Sequence, residues 1–196
     1  MAEGGLIVEA KVIARCCFEN SYWVGALVNE GDKFLGSMVH HEMKHKRMGA
    51  KTIFSTTGGQ GEIGGKLQGA MGELRQWMRD YKQYEDSPTL DPKEVCKRAQ
   101  SATYMFYQYL SWEAHPSAET LNRYYDPQDA SGALRINVEP AVWDAEVIVM
   151  LGLMCSAVLI VFRGIVYLLG RDTTAVTTME AEFQVLTERS GPLFQF

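Results

Sequence analysis

Arg15 and Glu19 lie four residues apart in an otherwise apolar stretch, IARCCFENSYW (13–23). That spacing places both on one helix face, where they can pair. Charges in such surroundings are seldom left unpaired. A second set, Tyr104, Tyr107, Ser111 and His115, follows the same helical period and stops at Pro116. If the two faces meet, an arginine, a glutamate, a tyrosine, a serine and a histidine converge. A histidine so placed can do acid–base work, and an arginine can stabilise charge on a phosphate. Arg15, Glu19, Tyr107, Ser111 and His115 are therefore the candidate catalytic positions. The competing reading is structural. Arg15–Glu19 would then fix helix register, the tyrosines would be core residues with satisfied hydroxyls, and His115 would cap its own helix at the negative end of the dipole.

A second pattern, His41-Glu42-Met43-Lys44-His45, matches HExxH. Two histidines at i and i+4 share a helix face and can bind zinc, while the glutamate acts as base. The setting argues against it. Lys44, Lys46 and Arg47 surround the motif with cations, His40 suggests an exposed histidine-rich face, and no later motif names a third ligand. His41 and His45 are thus the weaker candidates, and no cofactor is expected. The basic run Lys44, Lys46, Arg47 and Lys51 reads as a solvated helix face.

A chain of 196 residues suffices for one domain with a sizeable core. A net charge of −5 gives no overall pull toward nucleic acid or anionic lipid. The four cysteines have no CxxC spacing, so a disulfide framework is excluded, and all four read as small core residues. Met1 to Gly5 has no basic region, which excludes a secretory signal.

Helical periodicity predicts a first helix over 6–29, with an apolar face at 6, 10, 13, 17, 24 and 27. A polar second helix follows over 32–54. The Gly-rich stretch 55–65 reads as a loop. It lacks both the preceding strand and the Gly-Lys-Ser/Thr of a phosphate loop. A third helix is expected over 66–84, and a loop near 86–91. Asp91-Pro92-x-Glu94 starts a fourth helix, running to Ala114. A short helix over 117–125, a loop over 126–139, a long apolar helix from Glu139-Pro140 to Leu169 and a last helix over 173–189 complete the chain. The fold class is all-α, a single antiparallel bundle of about six to seven helices. Residues 147–162 hold no charge, and with Arg163 tolerated the segment approaches the length of a membrane span. The expectation is instead a central helix buried on all sides by the others, in a soluble, cytoplasmic protein with no membrane partner.

At the polar positions the chain resembles the bacterial domain-of-unknown-function 5677 family. ARCCFE (14–19) is similar to its first signature, roughly Arg-Ser-x-x-Glu, with Cys16 where serine is usual. YQYLSWEAHPS (107–117) is similar to its second, roughly Tyr-x-x-x-Ser-x-x-x-His-Pro-Ser. The resemblance implies a helical, cytoplasmic bacterial protein and no established activity. Helical sequence often precedes the first signature, so a truncated start is expected.

Three functions follow. The first is a non-enzymatic interaction module with a structural polar cluster. Self-association through apolar surface such as the Phe194–Phe196 tail is open to it, and other partners are unknown. The second is a metal-independent ribonuclease or nucleotide-processing enzyme, broadly like the HEPN nucleases, using Arg15 and His115. Those enzymes carry arginine and histidine in one motif, whereas position 111 here is serine. The third is a zinc hydrolase through His41, Glu42 and His45.

Overall fold

Gly31 divides residues 7–57 into two helices, α1 (Ile7–Glu30) and α2 (Asp32–Thr57). Its φ of 52° lies in the left-handed region that glycine adopts without steric cost. The computed structural model describes residues 7–58, 61–84, 88–114, 122, 124–126, 135–136 and 142–190. The Gly-rich loop expected over 55–65 is shorter than that. α2 continues through Thr57 to a left-handed cap at Gly58, and α3 (Gly61–Asp80) begins soon after. The Ser55 and Thr56 hydroxyls donate back to the Thr52 carbonyl, at 2.8 and 2.9 Å. Bonded within their own helix, they do not start a turn. A 3₁₀ turn, Lys82–Tyr84, follows α3 and lays the Tyr84 ring on Gly36 of α2.

The single helix expected from Asp91 to Ala114 is two, α4 (Pro92–Arg98) and α5 (Tyr104–Ala114). Its start is as expected: Asp91 Oδ1 accepts the Glu94 N–H at 2.8 Å, with Pro92 at the first helical position. The break is a Schellman cap. Gln100, at φ 52°, donates its N–H to Lys97 O, and the Ser101 N–H reaches Cys96 O. Where the end of a short helix (117–125) and a loop (126–139) are expected, β1 (Tyr125–Asp126) and β2 (Arg135–Ile136) form a two-residue antiparallel pairing. α6 (Asp144–Leu168) closes on the same cap geometry at Gly170, and α7 (Thr174–Ser190) completes the described fold. The class is all-α, as expected. Of the helix expected over 117–125, residues 122, 124 and 125 are described, and Tyr125 is in β1 and not in a helix; the Phe194–Phe196 tail lies outside the described residues.

α1, and not the apolar α6, is the helix at the centre. It packs on α6, α5 and α4 at once. Along α5 it runs antiparallel, pairing Arg15 with Tyr107, Phe18 with Phe106 and Tyr22 with Thr103. Along α6 it runs parallel. Lys11 meets Glu146 near the two starts, and Val24 meets Gly164 near the two ends. The buried side of α1 carries Ile7, Ala10, Lys11, Ala14, Phe18, Tyr22 and Ala26. The apolar face expected through Ile13 and Cys17 is therefore rotated, and Val12 and Ile13 are exposed.

α6 is long and apolar enough to cross a membrane, with a mean hydropathy of 2.5, yet only 22% of that window is buried. The expectation of burial on all sides is overturned. Only the side carrying Met150, Gly152, Leu153, Ala157 and Gly164 is covered. The cysteine expectation also changes. All four are free, but only Cys96 is buried, while Cys16 and Cys155 are exposed.

Candidate functional site

α1 and α5 bring four of the five candidate residues together. Arg15 Nε donates to Glu19 Oε1 at 3.2 Å, one turn apart on α1. The guanidinium lies over the Tyr107 ring, 5.4 Å from its centroid. Tyr107 is buried, with the Glu19 carboxylate and the Ser111 hydroxyl close enough to its own hydroxyl to bear on its ionisation. Burial, followed by the nearby Glu19 carboxylate, pushes the Tyr107 phenol above its ordinary value. Tyr107 therefore stays neutral and serves as a hydrogen-bonding group. Tyr104 stacks on it at 5.6 Å, as the i,i+3 spacing allows. His115 lies outside the described residues.

The cluster is not sealed. The Arg15 and Glu19 side chains are 27% and 28% exposed. Tyr104, Tyr107 and Ser111 line an open concavity of about 600 Å³, beside Trp112, which is 82% exposed. The fully buried pair expected of a purely structural reading is thus a half-hydrated one.

Sequence reasoning missed Lys11. It sits one turn before Arg15 on the same face of α1, and it is fully buried. Its Nζ lies 2.5 Å from Glu146 Oε1 on α6 and 5.8 Å from the centroid of the Tyr109 ring on α5. Lys11 thereby ties three helices together. The available signal was its i−4 spacing from Arg15 beside Ala10 and Ala14. Its partner lies 135 residues away and cannot be read locally.

The HExxH residues occupy α2. His41 and His45 face each other, with ring centroids 4.4 Å apart. His40 is buried, so the exposed histidine face expected there is only partial. His41 Nδ1 accepts the Leu90 N–H at 3.3 Å. A neutral imidazole that accepts at Nδ1 carries its proton on Nε2, which removes the lone pair a zinc ion would need. Burial, then the neighbouring His45, Lys44 and His40, lowers the His41 pKa and keeps it neutral. Among the described residues no group of three or more His, Cys, Asp or Glu could hold a metal ion. The donor set does not fit zinc.

The basic run divides between two faces. Lys46 pairs with Glu42 at 2.6 Å on one side. Lys44, Arg47 and Lys51 instead line a groove between α2 and α3.

A helical bundle whose first and fifth helices share an Arg–Glu–Tyr–Ser cluster defines the class of protein. Residues 1–132 match the model of a family of unknown function, DUF5677, and the chain belongs to that family. The matched stretch holds α1 to α5 and ends before α6. No curated protein and no solved structure matches the chain.

Proposed function

We propose that this protein is an interaction module that assembles with a second copy of itself through the outer face of α6. One observation carries the reading. Ile148, Leu151, Cys155, Val158, Phe162, Ile165 and Leu169 are all exposed. Their spacing alternates strictly between three and four residues, the period of a coiled-coil seam. An exposed apolar stripe of that length marks a contact surface, and its period fits another helix. A bilayer is the less favoured occupant. α7 folds back on α6 through the Arg163–Glu180 pair, and the half-hydrated Arg15–Glu19 pair lies on the helix beside α6. An inserted α6 would draw these polar neighbours toward the hydrocarbon. In this reading the Arg15–Glu19–Tyr107–Ser111 cluster clamps α1 to α5, each member serving as another's partner.

Two differently tagged copies of the protein, co-expressed, test the reading. The tagged copies are expected to co-purify, and a Leu151→Glu/Val158→Glu pair in both is expected to abolish this. Recovery of the wild type only with the membrane fraction would transfer the face to lipid.

The open concavity beside Tyr107 and Ser111 favours a second reading, a metal-independent ribonuclease. Arg15 would stabilise phosphate charge and His115 would act as acid or base. Loss of RNA cleavage in both Arg15→Ala and His115→Ala would support it. Cleavage unchanged in His115→Ala, or no cleavage by the wild type, would end it.

A further inference from the structure

α2 is the basic element of an acidic chain. It carries Lys33, Lys44, Lys46, Arg47 and Lys51 against only Asp32 and Glu42. The chain as a whole has a net charge of −5. Glu42 is taken by Lys46 on one face. The other face carries His40, Lys44, Arg47 and Lys51, at successive steps of four, three and four residues. These four, with Met48 and Met78, line an open groove of about 440 Å³ against α3, and none of its lining residues is a carboxylate. His40 is buried, and Arg47 reaches across to the Met78 sulfur at 3.8 Å.

The three cations Lys44, Arg47 and Lys51 span about 10 Å of helix, at 1.5 Å per residue. That is a linear track and not a single-anion socket. Exposed aromatic side chains accompany it. Phe54 continues the same face one step beyond Lys51, and Trp77 precedes the groove-lining Met78 on α3. A positive groove that follows a phosphate backbone, with aromatic faces on which bases stack, is how proteins hold single strands without reading sequence. We infer that the α2–α3 groove binds the phosphate backbone of single-stranded nucleic acid. The site uses neither the α6 stripe nor the Arg15 cluster, so it stands or falls apart from the proposed function.

Fluorescence polarisation with a labelled oligouridylate tests this across a salt series. Lys44, Arg47 and Lys51 are all exposed, so a Lys44→Ala/Arg47→Ala/Lys51→Ala variant keeps the fold. It is expected to bind at least about tenfold more weakly. The slope of log affinity on log salt should fall by about two, at about 0.7 per lost single-strand phosphate contact. Trp77→Ala should weaken binding about fivefold or more through lost stacking. Lys46→Ala, on the paired face, should change little. Equal affinity in the triple variant and the wild type would overturn the inference. So would a loss in Lys46→Ala as large as that in the triple variant, which would mean general charge and no groove. Displacement of the oligonucleotide by uridine triphosphate at equal concentration would also overturn it, in favour of a small phosphate ligand.

Discussion

Lys11→Met should be among the most damaging single substitutions in this chain, and Glu146→Leu should rescue it. Lys11 is fully buried, and the Glu146 side chain is only 10% exposed. Neutralising the lysine alone removes the cation that the Glu146 carboxylate faces between α1 and α6. Breaking a buried pair in this way costs about 3–5 kcal/mol. In a domain of this size each kcal/mol moves the melting temperature by about 2–4 °C, so the expected fall is about 6–20 °C. Replacing both partners with apolar residues of similar volume is often neutral or stabilising. The double variant should therefore recover most of the loss, with a coupling of about 3 kcal/mol. Urea unfolding followed by far-ultraviolet circular dichroism on the four proteins measures that coupling. A loss below about 1 kcal/mol in Lys11→Met would be the behaviour of an exposed pair. It would refute the burial of Lys11 and, with it, the parallel docking of α1 on α6.

Gly164→Ala should destabilise, because a Cβ there would sit 2.3 Å from Val24 Cγ1 on α1. Overpacking of that kind costs about 1–3 kcal/mol, against a helix-propensity gain of about 1 kcal/mol. Gly72→Ala on α3 meets nothing within 4 Å and should keep that gain, so thermal melts of the two variants should move in opposite directions. Gln100→Gly should stabilise by about 0.5–1 kcal/mol, because residue 100 holds a positive φ that glycine adopts freely. Acid should weaken the α1–α4 contact. Hydrogen bonds from Arg98 hold the Glu30 carboxyl below its ordinary value of 4.5, so the folded state takes up that proton less readily than the unfolded chain. The stability this confers is complete above that value and is lost as pH falls through the folded pKa. Glu30→Gln should be less stable at neutral pH and should show a shallower decline in melting temperature toward about pH 3.

Much of the helical fold is legible in the residues. The cap at Asp91-Pro92 and the break at Gly31 are local signals, and the structure obeys both. The break at Gln100 is not legible, because a non-glycine residue occupies the left-handed position and only the flanking hydrogen bonds reveal it. The inner face of α1 is missed for a related reason. Apolar periodicity counts Ile13 inside and ignores Lys11, yet the lysine is buried because Glu146 reaches it from α6. The convergence of Arg15, Glu19, Tyr107 and Ser111 follows from two helical spacings, and α1 and α5 do meet there. Its solvent access depends on how the helices splay, which spacing does not report. The apolar run in α6 suggests a centre. Composition cannot say that α1 takes that place and leaves half of α6 bare.

Sedimentation velocity without detergent tests the self-assembly of α6 most directly. At about 10 μM, in the micromolar range of specific association, the wild type should sediment as a dimer of the 22.0 kDa chain. The Leu151→Glu/Val158→Glu variant should sediment as a folded monomer, since both side chains are exposed in the single chain. A monomeric wild type, or a dimer that survives both substitutions, would contradict the account.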